Sequence, residues 1–199
     1  MANILYSFRR CPFAMRARMA LSLAGTDYEH REVLLRDKPE DMLEVSPKGS
    51  VPVFIANEHI IDESLDIMIW ALPGIKFETD IIQMIDGSFK HNLDRYKYAS
   101  RYDPSLKRGD IDISYRNLAV DNLQIIETNL GETPYVGGQA MGPTDMAAFP
   151  FVRQFAAVEP DWWAACAKLP KTREWLIRCL SSDLFQDIMQ KFPIWKPQN

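Results

Sequence analysis

The sequence predicts a small α/β domain followed by an all-α domain, and three observations support this fold class. Short apolar runs and amphipathic segments alternate over residues 1–75 in the order βαβ and then ββα. Pro73-Gly74 interrupts this pattern, and the chain after Phe77 has helical periodicity. The length of 199 residues corresponds to one or two domains at ~150 residues each. We therefore place one domain at residues 1–75 and the second at residues 78–199.

The first domain opens with a strand, a helix and a second strand. Residues 3–8 form an apolar run typical of a strand, and Pro12 suits the first turn of the helix that follows. Apolar side chains recur at helical spacing over residues 13–24, and Gly25 ends the helix. Residues 28–35 predict the second strand. A βαβ unit of this kind places its two strands parallel in one sheet.

A hairpin and a helix complete the predicted first domain. Residues 39–45 have room for one or two helical turns, and the composition of residues 46–50 is that of a loop. Residues 51–61 predict a β-hairpin with a tight turn at Asn57-Glu58. A helix is expected over residues 62–72. The result is a four-stranded mixed sheet with helices packed on it.

The second domain is predicted to contain helices only. Thr79 is a candidate cap for a helix that runs to about Tyr102, and Asp110 for one that runs to about Leu130. Two further regions have helical character: a helix starting at residues 142–145, and one or two helices over residues 171–190 with a break near Ser181-Ser182. We expect the tryptophans of the C-terminal region to be mainly core residues: Trp162, Trp163, Trp175 and Trp195.

Composition and charge exclude several classes of protein. The net charge is −4 and the sequence contains no basic patch, so we expect no nucleic-acid partner. The longest stretch without charge, residues 133–144, is too short to span a bilayer, and the N-terminus lacks the apolar core of a signal peptide. We therefore expect a cytoplasmic protein without membrane contact. The scattered Cys and His residues predict neither disulfides nor a metal site.

The segment Arg9-Arg10-Cys11-Pro12-Phe13-Ala14 has the clearest chemical signal. It places Cys11 between the first strand and the first helix. Unpaired backbone N–H groups and the helix dipole favour an anion there, and the two arginines add positive charge. An inert buried thiol is the usual fate of cysteine, but this setting favours a reactive thiolate with a pKa below the free value of ~8.5.

At this point the sequence resembles the glutathione S-transferase superfamily. The resemblance rests on strand–Cys-Pro-Phe-Ala–helix, Ser50-Val51-Pro52, Asp62-Glu63-Ser64, and Tyr135-Val136-Gly137-Gly138 followed by Asp145-Met146-Ala147-Ala148. Cys-Pro-Phe-Ala is similar to the omega class, whose active residue is a cysteine. The resemblance covers the whole chain and implies a thioredoxin-like first domain, an all-helical second domain, glutathione as cosubstrate and a homodimer.

The resemblance also assigns roles to individual residues. Cys11 is the expected catalytic residue. Val51 and a cis Pro52 are expected to present the Val51 backbone to the cysteinyl part of glutathione. Glu63 and Ser64, at a helix start, suit the ammonium and carboxylate of its γ-glutamyl end. The other expected glutathione-binding residues are Lys38, near the glycine carboxylate, and Phe13, beside the thiol.

Two departures from the family pattern affect the expected chemistry. Ala14 stands where dithiol glutaredoxins have a second cysteine, which favours a monothiol route through a mixed disulfide with glutathione. Gly142 stands where the helical marker usually has Ser or Thr, so the reciprocal side-chain bond of the capping box is lost.

The resemblance implies glutathione-dependent thiol transfer or reduction as the activity, with dehydroascorbate as an example of a small oxidised acceptor. Conjugation of glutathione to electrophiles, with Tyr6 or Ser7 as activator, is the alternative enzyme. A non-catalytic binding module on the same fold is the third interpretation.

In the second domain, Arg95, Tyr98, Ala99 and Tyr102 recur at helical spacing and are predicted to form one helix face. This face either borders the acceptor site or packs between helices.

Overall fold

The computed structural model describes residues 3–197, which form two compact units. The described residues up to Ile75 group with those from Ser181 onward, and Lys76–Leu180 form the second unit. The sequence pattern placed residues 78–199 in one helical domain, whereas the last segment of the chain packs with the first unit. Within the described residues, no helix combines the length and apolar character needed to cross a membrane.

The first unit is built on a four-stranded sheet with the order β2-β1-β3-β4. Strand β1 (Ile4–Ser7) pairs in parallel with β2 (Glu29–Glu32) and antiparallel with β3 (Val53–Ala56). Strand β4 (His59–Ile61) returns antiparallel to β3. The mixed sheet expected from the βαβ and ββα order is therefore present.

Three helices surround the sheet: α1 (Pro12–Leu23), α2 (Glu40–Val45) and α3 (Ser64–Ala71). Successive strand residues face opposite sides of a sheet. Leu5 and Phe54 accordingly pack with Leu21 of α1 and Ile67 of α3, in one buried cluster. The neighbouring residues Tyr6 and Val53 belong to a second cluster that includes Met42 of α2. Both clusters contain residues of α1.

Local geometry ends α1 and closes the hairpin as the sequence suggests. Gly25 adopts φ +63°, and the N–H of Thr26 bonds back to the carbonyl of Leu21, which is a helix-ending arrangement that favours glycine. Asn57 and Glu58 both have positive φ, as a two-residue hairpin turn requires.

The second unit is helical among its described residues. A nearly continuous helical segment comprises α4 (Thr79–Met84), a π-helical turn (Ile85–Phe89), α5 (Lys90–Lys97) and a 3₁₀ turn (Ala99–Arg101). The remaining helices of this unit are α6 (Ile113–Asn122), α7 (Gln124–Leu130), α8 (Pro143–Ala156), α9 (Pro160–Ala164) and α10 (Pro170–Leu180).

Several helix starts differ from the sequence expectation. Asp112, rather than Asp110, caps α6 and accepts a hydrogen bond from the N–H of Ser114. Asp110 instead accepts from the N–H of Lys107 in the preceding loop. Helix α3 begins at Ser64 instead of residue 62, and Asp62 bonds instead to side chains of the loop that precedes β3. Helix α9 was not predicted, since its five residues are too few to show a period.

Gly142 precedes α8 as its N-cap residue and forms half of a capping box. The Asp145 carboxylate accepts from the N–H of Gly142 at 2.8 Å, from the N–H of Val136 at 2.9 Å and from the indole N–H of Trp175 at 2.7 Å. Glycine has no side chain to return a bond. Burial raises the pKa of Asp145, although these donors oppose the shift.

The last segment of the chain packs on the first unit. Helix α11 (Asp183–Ile188) follows a break at Ser182, whose hydroxyl caps it, and lies against α1. Beyond it, the N–H of Trp195 donates to the carbonyl of Glu32 at 2.8 Å, which extends the sheet at the outer edge of β2. The Trp195 ring lies 4.2 Å from the Arg31 guanidinium and edge-on to Tyr6. Trp195 thus completes the core of the unit that begins the chain.

Candidate active site

Cys11 occupies the N-cap position of α1. Its backbone is extended (φ −74°, ψ 123°), Pro12 follows as the first helical residue, and the N–H of Met15 bonds to the Cys11 carbonyl at 3.0 Å. The first turn of α1 contains no acidic residue. The half-buried Cys11 side chain therefore faces the positive end of a twelve-residue helix without a local negative charge on that turn.

The thiol of Cys11 points toward the segment before β3. Its Sγ–H donates to the carbonyl of Val51 at 3.6 Å. The Val51–Pro52 peptide bond is cis, as the family resemblance implied. This backbone and the start of α3 enclose a cavity of about 220 Å³, lined by Phe13, Ser50, Val51, Pro52, Asp62, Glu63 and Ser64. Five of the seven predicted site residues therefore line one cavity, and Cys11 contacts its wall at Val51, whereas Lys38 is not among the lining residues.

Ser64 is the first residue of α3, and its side chain is buried. The Ser64 hydroxyl accepts from the guanidinium of Arg16 at 3.5 Å. Arg16 is itself fully buried, and its guanidinium carbon lies 5.6 Å from the centre of the Phe13 ring. Arg16 therefore supports two wall residues of the cavity from the protein interior. Backbone N–H groups at the start of α3 remain available to an anion.

Glu63 is exposed and paired with a lysine that sequence reasoning did not assign. Lys48 Nζ lies 2.6 Å from Glu63 Oε1 and 2.9 Å from Asp62 Oδ1. Asp62 also accepts from the Ser46 hydroxyl at 2.8 Å. Lys48 lowers the pKa of Asp62, and the Ser46 bond adds to this effect. The Glu63 carboxylate is thus held at the cavity mouth, with an ammonium group already bound to it.

Lys38 reaches the same region from the loop before α2. A methyl group built on Gly49 would lie 3.3 Å from Lys38 Nζ, so the ammonium group rests against the backbone next to Ser50. Gly49 has φ +60°, a conformation that favours glycine. The glycine therefore lets the lysine side chain approach the backbone next to Ser50, which is one of the lining residues.

The chain is similar in sequence to known transferases. The chain is 30% identical over 166 residues to glutathione S-transferase U22 of Arabidopsis thaliana, which covers 78% of this chain and 75% of the relative. The chain belongs to the glutathione S-transferase family. The family model described as the glutathione S-transferase N-terminal domain matches residues 5–72. Probable glutathione S-transferase parA of Nicotiana tabacum is 28% identical over 192 residues, covering 90% of this chain and 86% of the relative.

Solved structures of glutathione S-transferases share the fold. A Tau-class transferase from mango, Mangifera indica, superposes with a TM-score of 0.77 at 22% identity, covering 96% of this chain and 93% of that one. A family member from Pseudomonas fluorescens, solved with two glutathione molecules bound, gives 0.74 at 19% identity over 94% and 92% of the chains. The thioredoxin-like first domain and the helical second domain are thereby confirmed. The omega-class assignment rests on the Cys-Pro-Phe-Ala motif alone.

Tyr6 and Ser7, the two hydroxyl residues considered as alternative activators of glutathione, are both buried. The Tyr6 hydroxyl accepts from Arg31 at 2.6 Å, and burial raises the pKa of Tyr6. The Ser7 hydroxyl accepts from Arg18 at 2.6 Å and is fully buried. Neither residue lines the cavity. Both hydroxyl groups are therefore bonded to arginines in the interior of the unit.

The other two thiols are also buried. Cys166 and Cys179 are 7% and 0% exposed, and burial raises the pKa of Cys179 well above its usual range. Cys11 is therefore the most accessible of the three thiols.

Among residues 3–197, no three His, Cys, Asp or Glu side chains gather closely enough to hold a metal ion.

A larger apolar cavity lies within the second unit. It has a volume of about 470 Å³, and its lining is mainly apolar side chains of α8, α9 and α10, including Trp163 and Leu176. Its lining contains two arginines but neither a thiol nor a carboxylate. It offers no nucleophile, so the chemistry is assigned to the smaller cavity beside Cys11.

Sequence reasoning missed the charged residues that hold the site together. Arg16, Arg18 and Lys48 were not assigned roles. A signal for the two arginines exists, because charged residues among the apolar positions of α1 need partners when they are buried.

In the second unit, the Arg95 guanidinium stacks 4.4 Å from the Tyr102 ring, but α5 ends at Lys97, so the predicted four-residue face does not lie on one helix.

Proposed function

We propose that this chain is a glutathione-dependent thiol transferase that works through a mixed disulfide between Cys11 and glutathione. The observation that supports it most directly is a half-buried thiol at the N-terminus of α1, beside the Val51 carbonyl. The absence of a cysteine at Ala14 leaves no second thiol in that motif to close an internal disulfide.

The proposed reaction has two exchange steps. The Cys11 thiolate attacks the glutathionyl sulfur of an acceptor RS–SG, so that the Cys11–SG bond forms, the RS–SG bond breaks and RS⁻ leaves to take up a proton. The thiolate of a second glutathione then attacks the same sulfur, releasing glutathione disulfide and restoring the Cys11 thiolate. The net change converts RS–SG and glutathione to RSH and glutathione disulfide, with electrons balanced.

Glutathione is proposed to bind along the wall of the cavity. Val51 offers its backbone N–H and carbonyl to the cysteinyl peptide groups, as an added strand would. The N-terminus of α3 and Ser64 receive the γ-glutamyl carboxylate, and Glu63 receives its ammonium group in place of Lys48. Lys38 pairs with the glycine carboxylate, and Phe13 packs against the tripeptide. A homodimer and a cytoplasmic location remain expectations from the family.

Conjugation of glutathione to electrophiles is the second candidate. It is favoured by the relatives, which are glutathione S-transferases from plants. The two candidates differ in what Cys11 does: thiol transfer needs it as a nucleophile, whereas conjugation needs a donor that stabilises the thiolate of glutathione. The third candidate, a binding module without catalysis, predicts that no glutathione-dependent turnover occurs.

The test is covalent modification by glutathione disulfide. We expect one glutathione per chain, mapped to Cys11 by peptide mass analysis and removed by a reductant. Cys11→Ala should take up none, whereas Cys166→Ala, which changes a buried thiol, should react like the wild type. An adduct on Cys166 or Cys179 with Cys11 unmodified would refute the proposal.

A further inference from the structure

Arg18 is a buried cation on the same helix as the proposed nucleophile. Its side chain is 1% exposed. The guanidinium donates to the Ser7 hydroxyl at 2.6 Å, to the Arg9 carbonyl at 2.8 Å and to the Ile188 carbonyl at 3.1 Å, with a longer bond of 3.4 Å to the Phe8 carbonyl. These acceptors belong to the turn before Cys11 and to the end of α11.

The reach of Arg18 follows from helix geometry. Side chains on an α-helix lean toward its N-terminus, so a long residue two turns into α1 extends over the turn that precedes the helix. The planar guanidinium has five N–H donors in a fixed fork, which allows one side chain to bond several carbonyl groups at once. Arg18 thereby joins the end of β1, the turn at Phe8–Arg9 and the C-terminal carbonyl of α11.

The same turn is held from its other side by Glu32. The N–H of Arg9 donates to Glu32 Oε1 at 2.7 Å, and Glu32 Oε2 lies 3.0 Å from the ring nitrogen of His30. Arg9 is therefore fixed at both backbone groups, its N–H by a buried carboxylate and its carbonyl by a buried guanidinium. Because Cys11 N–H bonds to the Phe8 carbonyl at 2.9 Å, the fixed turn determines where Cys11 begins the helix.

Arg18 also places a positive charge against the turn that leads into Cys11. Burial lowers the pKa of Arg18 to about 10, so it remains a cation at neutral pH. Negative charge on Glu32, Tyr28 or Cys11 opposes this shift, and the positive charge of Arg9 reinforces it. Attraction between two charges is mutual, so a cation stabilised by the Cys11 thiolate also stabilises that thiolate.

We propose that Arg18 is a positioning residue for Cys11: its guanidinium fixes the turn that sets the thiol at the helix N-terminus and supplies the buried positive charge that favours the thiolate. The inference rests on the proposed function, because it concerns the nucleophile of that reaction. It adds a residue in the middle of α1 and the end of α11 to the parts of the chain that determine thiol reactivity.

Arg18→Gln tests the charge, since glutamine keeps a hydrogen-bond donor and loses the cation. The measurement is the rate of iodoacetamide alkylation of Cys11 against pH in the full chain, with the site identified by mass spectrometry. We expect the midpoint to rise by about one pH unit, in line with the loss of one nearby opposite charge. Arg31→Gln is the matched control, because it removes a cation of the same unit that bonds Tyr6 and Glu29 instead of the turn.

Arg18→Lys tests the geometry and also serves if Arg18→Gln does not fold. Lysine keeps the charge but cannot bond the Ser7 hydroxyl and the Arg9 and Ile188 carbonyls together. We expect an unchanged midpoint, with a fall of about tenfold in the rate of reaction with glutathione disulfide above that midpoint.

The outcomes separate this inference from the proposed function. If wild-type Cys11 takes up no glutathione, the proposed function fails, and the inference fails with it. If the wild type reacts and folded Arg18→Gln keeps the wild-type midpoint, or Arg18→Lys keeps the wild-type rate, the positioning role alone is refuted.

Discussion

Cys11, Tyr6 and Ser7 are the three candidate reacting residues around the end of β1 and the start of α1. Cys11 meets the cavity wall at Val51, whereas Tyr6 and Ser7 are each bonded to an arginine in the interior. A sulfur nucleophile at the helix entrance suits disulfide exchange, and a hydroxyl at that place would suit activation of glutathione for conjugation. The position of the Cys11 thiol at the cavity is therefore the observation on which the proposal of thiol transfer depends.

Replacement of Cys11 tests this assignment directly. Cys11→Ala should abolish thiol transfer, because no other nucleophile lies at the start of α1 and Ala14 cannot act in its place. Glutathione binding should persist, since Glu63, Ser64 and the Val51 backbone are unchanged. The measurements are glutathione-dependent reduction of a mixed disulfide and retention on immobilised glutathione.

Tyr6→Phe is the control for that experiment, because it removes a hydroxyl bonded to Arg31 outside the cavity. Its thiol transfer should stay within about twofold of the wild type, as expected for a change that misses the reacting groups. A Cys11→Ala protein that retains activity, together with loss of activity in Ser7→Ala or Tyr6→Phe, would place the chain with the hydroxyl-dependent transferases.

At the scale of elements, the loop over residues 46–50 and the start of α3 are joined by one carboxylate. Asp62 accepts from the Ser46 hydroxyl and from Lys48, so it links the loop that leads into β3 with the helix that follows β4. Glu63 and Ser64 come next in the chain. The placement of the two proposed γ-glutamyl ligands therefore depends on a contact made by their neighbour.

Asp62→Asn should destabilise the protein by about 1 kcal/mol at pH 7, because it weakens a charge-assisted pair that is partly exposed to solvent. The folded-state pKa of Asp62 is lowered. Its contribution is therefore present above the unfolded value of ~3.9 and is lost as the pH falls through the lower folded value.

Urea unfolding of both proteins at several pH values measures this difference. We expect it to disappear in acid, below the folded pKa of Asp62. Asp66→Asn changes an acidic residue in the first turn of the same helix and is the matched control. A difference of equal size at neutral and strongly acidic pH would show that the effect comes from packing instead of charge.

The limits of sequence reasoning are visible in the same elements. The place of Cys11 and Pro12 at the start of α1 and the hairpin turn at Asn57-Glu58 were predictable. Each of these features depends on residues that are adjacent in the sequence. Arg18 was not predictable, since its partner Ile188 is 170 residues away along the chain, and Ser64 lies 48 residues from Arg16. Pairings at such separations depend on the tertiary fold, which periodicity does not encode.

Local ambiguity explains the other differences. Asp110 and Asp112 both precede the helical pattern of α6, and each can cap; the structure gives the cap to the residue whose carboxylate reaches the N–H of Ser114. Glu63 was expected to meet an ammonium group of glutathione, and Lys48, fifteen residues earlier, already provides one. A short sequence motif does not show whether a surface side chain competes with the ligand for the same carboxylate.

At the scale of the whole molecule, the first unit consists of two stretches of sequence. Helix α11 and Trp195 return to α1 and β2 after the second unit is complete. Without them, Arg18 loses its bond to Ile188, and the outer edge of β2 loses the pairing of Glu32 with Trp195. The family model, which ends at residue 72, therefore covers less than the physical unit.

A fragment of residues 1–75 should consequently fail to fold cooperatively. The loss of α11 exposes the surface of α1 that it covers and leaves a buried cation without one of its acceptors, which costs several kcal/mol in a unit of marginal size. The same fragment with residues 181–199 attached through a flexible linker should recover a sigmoidal urea transition by circular dichroism. A cooperative transition of equal midpoint in the short fragment would contradict this view.

The outer edge of β2 also has a consequence for the order of events during protein synthesis. After the first strands have been synthesised, the ribosome must still translate Lys76–Leu180 and the segment up to Trp195. Only then can Trp195 bond to Glu32 at the end of β2. At bacterial or eukaryotic elongation rates this translation takes on the order of ten seconds. During that interval the carbonyl of Glu32 at the end of β2 lacks its bond to Trp195, and exposed strand edges of this kind adhere to other chains and recruit chaperones. Slow translation of the segment between the two stretches of the first unit would lengthen this exposure.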